Sequence, residues 1–177
     1  MVTLASFTEA DIDRLIGWIG SPDLLGQWAA STFSYPLTRA QLEVHTRQSA
    51  TRGASIYKVL DHDGSVVGHV ELGSIDRLNR SLRIGRVLVS PEHRRRGIGT
   101  ALMRAALAVA FEQLQMHRVE LSVFDFNQAA IACYERVGFR REGLRREMHK
   151  ASDAYWSEIV MSILESEGGP PAGPTRT

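Results

Sequence analysis

Three arginines, two glycines and a threonine stand almost side by side in Arg94-Arg95-Arg96-Gly97-Ile98-Gly99-Thr100. Glycine has no Cβ, so a bound group can come close to the backbone at Gly97 and Gly99. An apolar, helix-forming run follows at once. The first turn of such a helix presents unpaired N–H groups and the positive end of its dipole. Arginine adds fixed charge and fork-shaped donors. Before the loop, Val87-Leu88-Val89 reads as a strand end that turns on Ser90-Pro91. Strand, basic glycine loop and helix start together suit a phosphate or diphosphate. No Gly-Lys-Ser/Thr follows, and Gly-x-Gly-x-x-Gly is absent, so neither of the two common nucleotide loops is present. The plain alternative is a solvated basic loop.

A second group of chemically useful residues lies about thirty positions on, in Asn127-Gln-Ala-Ala-Ile-Ala-Cys133-Tyr134-Glu-Arg-Val-Gly138-Phe139. Asn127 is a good helix N-cap, and Gly138 suits the left-handed position past a helix end. Tyr134 keeps its proton at pH 7, with an ordinary pKa of about 10, and can donate it to a leaving group. A tyrosine that only packs is the alternative. Cys133, the single cysteine, reads as a small buried residue rather than a nucleophile and excludes an internal disulfide. His45, His62, His69, His93, His117 and His149 show no metal-type spacing with cysteines or carboxylates, so no metal is expected.

Arg94-x-x-Gly97-x-Gly99 followed by Asn127, Tyr134 and Gly138-Phe139 resembles the two-part signature of the GCN5-related N-acetyltransferase (GNAT) family. The details are most similar to its RimI/RimJ/RimL-like branch, over roughly Ser55 to Leu164. The resemblance implies acetyl-CoA as co-substrate and N-acetyl transfer to a primary amine by direct attack in a ternary complex. It implies backbone contacts from Val87, Leu88 and Val89 to the pantetheine arm, and a diphosphate held by Arg94, Arg95, Arg96, Gly97, Ile98, Gly99 and Thr100. Asn127 would position the donor and Tyr134 would act as the acid. A bulge near Gly85 would splay two strands to admit the pantetheine. Relatives often carry a glutamate on the central strand, but Leu82-Arg83-Ile84-Gly85-Arg86 has no carboxylate there. Glu71 on the preceding strand is the nearest substitute for the base, with His69 beside it, and Asp125 is a second option. A solvated strand glutamate is the alternative for Glu71. The missing carboxylate also keeps open a non-catalytic acyl-CoA sensor. The acceptor is left undefined: a protein N-terminus, a polyamine, an amino acid or a drug-like amine.

The remaining chemistry is ordinary. Net charge is +1 and charged residues make up 23% of 177, so the arginine excess is local and points to a small anion rather than to nucleic acid. The N-terminus lacks a basic flank with an apolar core, and no apolar run is long enough to span a membrane, so a cytoplasmic monomer or homodimer is expected.

The elements that must position these residues follow from periodicity. Thr8 and Asp11 resemble a capping box before Ile12, Leu15, Ile16 and Ile19, with Gly20-Ser21-Pro22 ending that helix. The aromatic stretch through Trp28, Phe33 and Tyr35 reads as irregular, its rings either packing on the core or lining an acceptor pocket. Thr38 with Gln41 starts a helix to about Ser49. Strands are expected at Ser55–Leu60 and Val66–Leu72, joined by a turn at Asp61-His62-Asp63-Gly64. The central strand, a helix from about Ile98 to Leu114, a strand at Arg118–Val123, a short helix after Asn127, and a closing pair at Phe139–Lys150 and Ala154–Leu164 complete the chain. The expected fold is α/β: one domain over residues 1–164, a mixed, mostly antiparallel twisted sheet with a bulged central strand and helices on both faces. Residues 165–177, ending in GGPPAGPTRT, are expected to be disordered.

Overall fold

The structure is a computed structural model that describes residues 2–151 and 154–168. Its centre is a seven-stranded sheet in the order β1-β2-β3-β4-β5-β7-β6. The strands are β1 (Thr3–Ser6), β2 (Ser55–Leu60), β3 (Val66–Asp76), β4 (Ser81–Val89), β5 (Arg118–Phe124), β6 (Arg140–Lys150) and β7 (Tyr155–Leu164). Every neighbouring pair is antiparallel except β4 with β5.

Helices cover both faces. On one face α1 (Ile12–Trp18), α2 (Pro22–Ala29) and α3 (Arg39–Thr51) bury Ile12, Leu15, Leu25, Trp28 and Leu42 together with Leu88 of β4. On the other, α4 (Ile98–Ala108) and α5 (Gln128–Arg136) pack Leu102, Met103, Ala106 and Ile131 over Val70, Leu121 and Val123. Side chains alternate along a strand, so Val87 and Val89 turn to the α4 side while Leu88 turns to the α1–α3 side. α4 runs on as a π-helical turn over Val109–Gln113, within the single helix expected from periodicity.

Three expectations need correction. The stretch after Gly20 is not irregular. Ser21 accepts a hydrogen bond from Leu24 N at 3.1 Å and Pro22 occupies the first helical position, so the pair starts α2. Thr3–Ser6 forms an edge strand that went unread because only four residues carry it. Glu165–Gly168 form α6: Glu167 accepts from Leu164 N at 3.1 Å, and Glu165 pairs with Arg80 at 3.1 Å. The rest of the expected tail lies outside the described residues.

Candidate active site

β4 pairs with β5 only at Ser81–Arg118, Leu82–Val119 and Arg83–Glu120. Beyond Arg83 the two strands part. The β4 side of this gap is irregular. On β3, His69 and Glu71 are two positions apart, whereas their partners on β4, Leu88 and Gly85, are three apart. One extra residue on one strand is a bulge. Arg86 takes up the distortion, with φ of +49°, and its carbonyl turns away from the ladder. That carbonyl accepts from both His69 Nδ1 and Trp28 Nε1, each at 2.9 Å. The bulge therefore sits one residue beyond the glycine expected to mark it, and buried donors of α2 and β3 hold it. Burial pushes the His69 imidazole down to about 4, so the ring is neutral near pH 7 with its proton on Nδ1.

The gap opens into a cavity of about 490 Å³. Val87 and Val89 line one wall, Leu121 to Phe124 the other, and Arg94, Arg95, Gly97, Gly99 and Thr100 close one mouth. The loop is shaped for this. Pro91–His93 form a 3₁₀ turn, Arg95 has φ of +60°, and Gly97, at φ +79°, is the residue before α4. The left-handed region is one that glycine enters without penalty. At Gly99 an added Cβ would stand 3.5 Å from Cys133 Sγ and 3.8 Å from Val89 Cγ2. Cys133 thus packs α5 against the start of α4, and Thr100 Oγ1 lies 3.6 Å from its sulfur.

Asn127 and Tyr134 of the α5 segment also line the cavity. Asn127 Oδ1 caps the helix by accepting from Ala130 N at 3.2 Å, which leaves its amide N–H groups for other partners. Tyr134 is 8% exposed and packs on Phe139 with ring centroids 6.0 Å apart. Burial raises its pKa above the usual range for tyrosine.

The structure brings Val87, Val89, Arg94, Arg95, Gly97, Gly99, Thr100, Asn127 and Tyr134 around one space. The side chains of Leu88, Arg96 and Ile98 do not line it. Glu71 does not line it either. Its carboxylate lies beneath α3, accepting from Arg86 Nη1 at 2.9 Å and Ser49 Oγ at 3.3 Å and bonded to His45 Nε2 at 2.8 Å. Burial favours its neutral form, but the His45 hydrogen bond and the Arg86 charge outweigh that and leave the pKa below the ordinary value. A carboxylate so held is a weak proton acceptor, and its visible work is to anchor the bulged Arg86. Asp125 also stands outside the lining; its backbone N–H donates to Ser157 O. Among the described residues, one His/Asp cluster has metal-like proximity, Asp61-His62-Asp63. It is the β2–β3 turn, where Asp61 Oδ1 already accepts from Asp63 N and Ser65 N.

Sequence reasoning missed a polar group on the α1–α3 side of the gap. Glu158 of β7 is 6% exposed and is held by Arg145 at 2.8 Å and His149 at 3.1 Å. Its burial is offset by those two partners, and its pKa falls. The available signal was a carboxylate between Trp156 and Val160, in the middle of an otherwise apolar strand stripe. Arg83 of β4 joins the group, donating to Ser122 Oγ at 2.5 Å. The aromatics divide between the two expected roles: Trp28 is buried and also lines the main cavity, while exposed Tyr35 lines a neighbouring cleft of about 340 Å³.

Residues 23–139 match the Acetyltransferase (GNAT) family. YdaF of Bacillus subtilis (strain 168), whose name assigns it to the ribosomal N-acetyltransferases, is 28% identical over 170 residues, covering 94% of this chain and 92% of that protein. The spermidine N(1)-acetyltransferase of Vibrio cholerae serotype O1 is 26% identical over 167 residues and covers 94% of each chain. A crystal structure of spermidine N-acetyltransferase from Vibrio cholerae with CoA and spermine superposes with a TM-score of 0.84 at 24% identity, over 94% of this chain and 96% of that one, which establishes the shared fold.

Proposed function

The chain belongs to the acetyltransferase (GNAT) family, and from that premise we propose that it moves an acetyl group from acetyl-CoA to a primary amine by direct attack in a ternary complex. The observation that carries this reading is the gap between β4 and β5, which joins an arginine-glycine loop at one mouth to a buried tyrosine in its wall.

The cavity suits the donor in its chemistry. The backbone of Val87 and Val89, on the edge that β5 leaves uncovered, offers strand-like hydrogen bonds to the amides of a pantetheine arm beside Arg94 Nε, which lies 3.4 Å from Val89 O. Leu88 between them is the ladder partner of His69. Arg94, Arg95 and the N–H groups of Gly97, Ile98, Gly99 and Thr100 hold the diphosphate, with Arg96 adding charge from outside the wall. Asn127 positions the donor with the amide N–H groups its capping bond leaves over.

Tyr134 supports the leaving thiolate. A phenol of raised pKa is less acidic than a thiol, whose ordinary value is about 8.5. Tyr134 therefore stabilises the developing charge as a hydrogen-bond donor, and full proton transfer comes late or from solvent. Glu71 serves through Arg86 and not as the base. Free acetyl transfer also needs the amine neutral, which at a pKa near 10.4 disfavours it by roughly 4–5 kcal/mol at pH 7. The acceptor is an amine, as for the named relatives. Among the described residues no helix is long and apolar enough to cross a membrane.

Two measurements on the purified chain test the reading. Acetyl-CoA raises the melting temperature, and thiol release appears with an amine panel. Tyr134→Phe then lowers kcat roughly 10²-fold with acetyl-CoA affinity little changed. Acetyl-CoA binding without thiol release toward any amine would favour the sensor instead, and wild-type turnover in the variant would leave Tyr134 a packing residue.

A further inference from the structure

Opposite the arginine-glycine loop, the gap between β4 and β5 opens a second time. A cavity of about 280 Å³ shares Trp28, Gly85, Arg86, Ser122 and Phe124 with the main one, so the two adjoin at the gap. Strand pairing fixes which side this second mouth faces. Phe124 pairs with Glu158 and Ser122 with Val160, and paired residues of antiparallel strands point to the same face. Leu121 and Val123 turn to α4 and α5, so Ser122, Phe124 and Glu158 turn to α1–α3. An amine that meets the donor from this side enters here.

The charges at this mouth are unequal in number and in availability. Arg83, Arg86 and Arg145 line it with His149, and Glu158 is its sole carboxylate among the described residues. Glu158 is already shared by Arg145 and His149. Arg86 is committed to Glu71 and Thr32. Arg83 and Arg145 spend only part of their N–H groups on the protein: Arg83 on Ser122 with Glu120 at 3.5 Å, Arg145 on Glu158. Their side chains are 33% and 44% exposed. The adjoining cleft adds Asp23 and Lys150, one of each sign. The mouth therefore has spare donors for an anion and no spare carboxylate for a cation. Part of its wall is apolar: Trp28, Phe124 and Met148 line it, and Trp156 of the adjoining cleft meets Phe124 edge-on at 5.0 Å.

We propose that the acceptor is a small amine that carries a carboxylate and an apolar side chain, an α-amino acid in type, and not a polyamine. Arg83 and Arg145 hold its carboxylate as forked donors, and the aromatic wall takes its side chain. A polyamine brings two or more ammonium groups to a mouth where Glu158, and Glu71 and Glu120 behind it, each already face an arginine. This deepens the acetyl-transfer reading and rests on it.

The test uses the full chain with acetyl-CoA, a thiol-release assay, and three acceptor sets: the twenty protein amino acids, their matched α-amides, and spermidine. The expected result is turnover of apolar and aromatic amino acids with KM at least tenfold below that of each matched amide, and weaker use of spermidine. Arg83→Gln raises the KM of the acid about tenfold, the size expected for one charge-assisted hydrogen bond, and so narrows the acid-to-amide ratio. Arg145→Lys, which keeps a cation beside Glu158, narrows it less. Spermidine turned over with kcat/KM equal to or above that of every amino acid overturns the proposal. So does an amide used as well as its acid, or no turnover of any amino acid by a chain that acetyl-CoA still stabilises. Failure of acetyl-CoA to raise the melting temperature sinks the acetyl-transfer reading itself and this proposal with it.

Discussion

On the α4 side, the gap between β4 and β5 is met by one short segment, Arg94 to Thr100, in which two lining arginines stand beside the free backbone N–H groups of a helix start. On the α1–α3 side it is met by side chains from separate segments: Trp28 of α2, Arg83 and Arg86 of β4, Phe124 of β5, His149 of β6 and Glu158 of β7. One mouth is local and combines main chain with neighbouring arginines; the other is assembled by the fold from side chains of separate elements. A backbone site tolerates changes of side chain and fails when a Cβ is added, whereas a side-chain site depends on buried polar partners that hold each group still.

The largest effect expected from this contrast is on the assembled side. His69 holds the Arg86 carbonyl as a buried neutral ring with its pKa pushed down to about 4, against about 6.5 in an unfolded chain. Between those values the unfolded state binds the proton and the folded state does not. Stability is then full above pH 6.5 and falls as pH drops toward 4, by about 3 kcal/mol in all at 1.36 kcal/mol per pH unit. The paired carboxylates Glu71 and Glu158 are lowered in the fold from an ordinary 4.5, so their losses begin only at the acid end of this window and continue below it. Denaturant titrations at intervals from pH 7 to pH 4 measure the slope. His69→Gln is less stable at pH 7 and loses much of the slope; an unchanged slope would assign it to other groups.

The donor mouth is next. At free acetyl-CoA about 100 times Kd, binding adds roughly 2.7 kcal/mol of stability. Gly99→Val places methyl groups where the backbone must meet the ligand, and the melting shift is lost. Its own Cβ meets Cys133 at ordinary contact distance, 3.5 Å, and the melting transition of the unliganded variant checks that the chain is still folded. Arg95→Gln leaves the backbone donors in place and weakens binding only several-fold, with the difference shrinking in salt. Equal losses from both changes would mean that charge and not main chain carries the site.

This contrast also explains what could be read in the sequence. Arg94 to Thr100 stand together in the chain, so residue types and spacing sufficed to mark the loop that borders the cavity. The apolar period of α4, the alternation in β3 and β5, and the Asn127 and Gly138 ends of α5 are equally local, and the layered fold followed from them. The base did not follow. Glu71 looked available beside a strand, but its fate depends on Arg86, His45 and Ser49, which only the bulge and α3 bring to it. Glu158 and Arg83 are 75 positions apart in the chain, and no local pattern announces that β4 and β7, on either side of β5, set them along one mouth. α2 was missed for a different reason: Ser21-Pro22 was read as a stop, yet the same two residues form a strong start signal.

The smallest effect tests whether the two mouths are independent. Ser21 caps α2 through a hydrogen bond from Leu24 N at 3.1 Å, and removing such a cap costs about 1 kcal/mol. α2 carries Trp28, whose indole N–H holds the bulged Arg86 carbonyl at 2.9 Å. Fraying at Ser21 therefore reaches the acceptor mouth through Trp28, while α4 and its glycine loop pack on the opposite face of the sheet. In Ser21→Ala the melting temperature falls by a few degrees, the acceptor KM rises by a small factor, and the acetyl-CoA Kd stays as in the wild type. Ser21→Asp restores the cap and returns the KM with it. A Kd that moves in step with the acceptor KM would show that the bulge at Arg86 couples the two sides, and that the backbone-built mouth depends on the side-chain-built one.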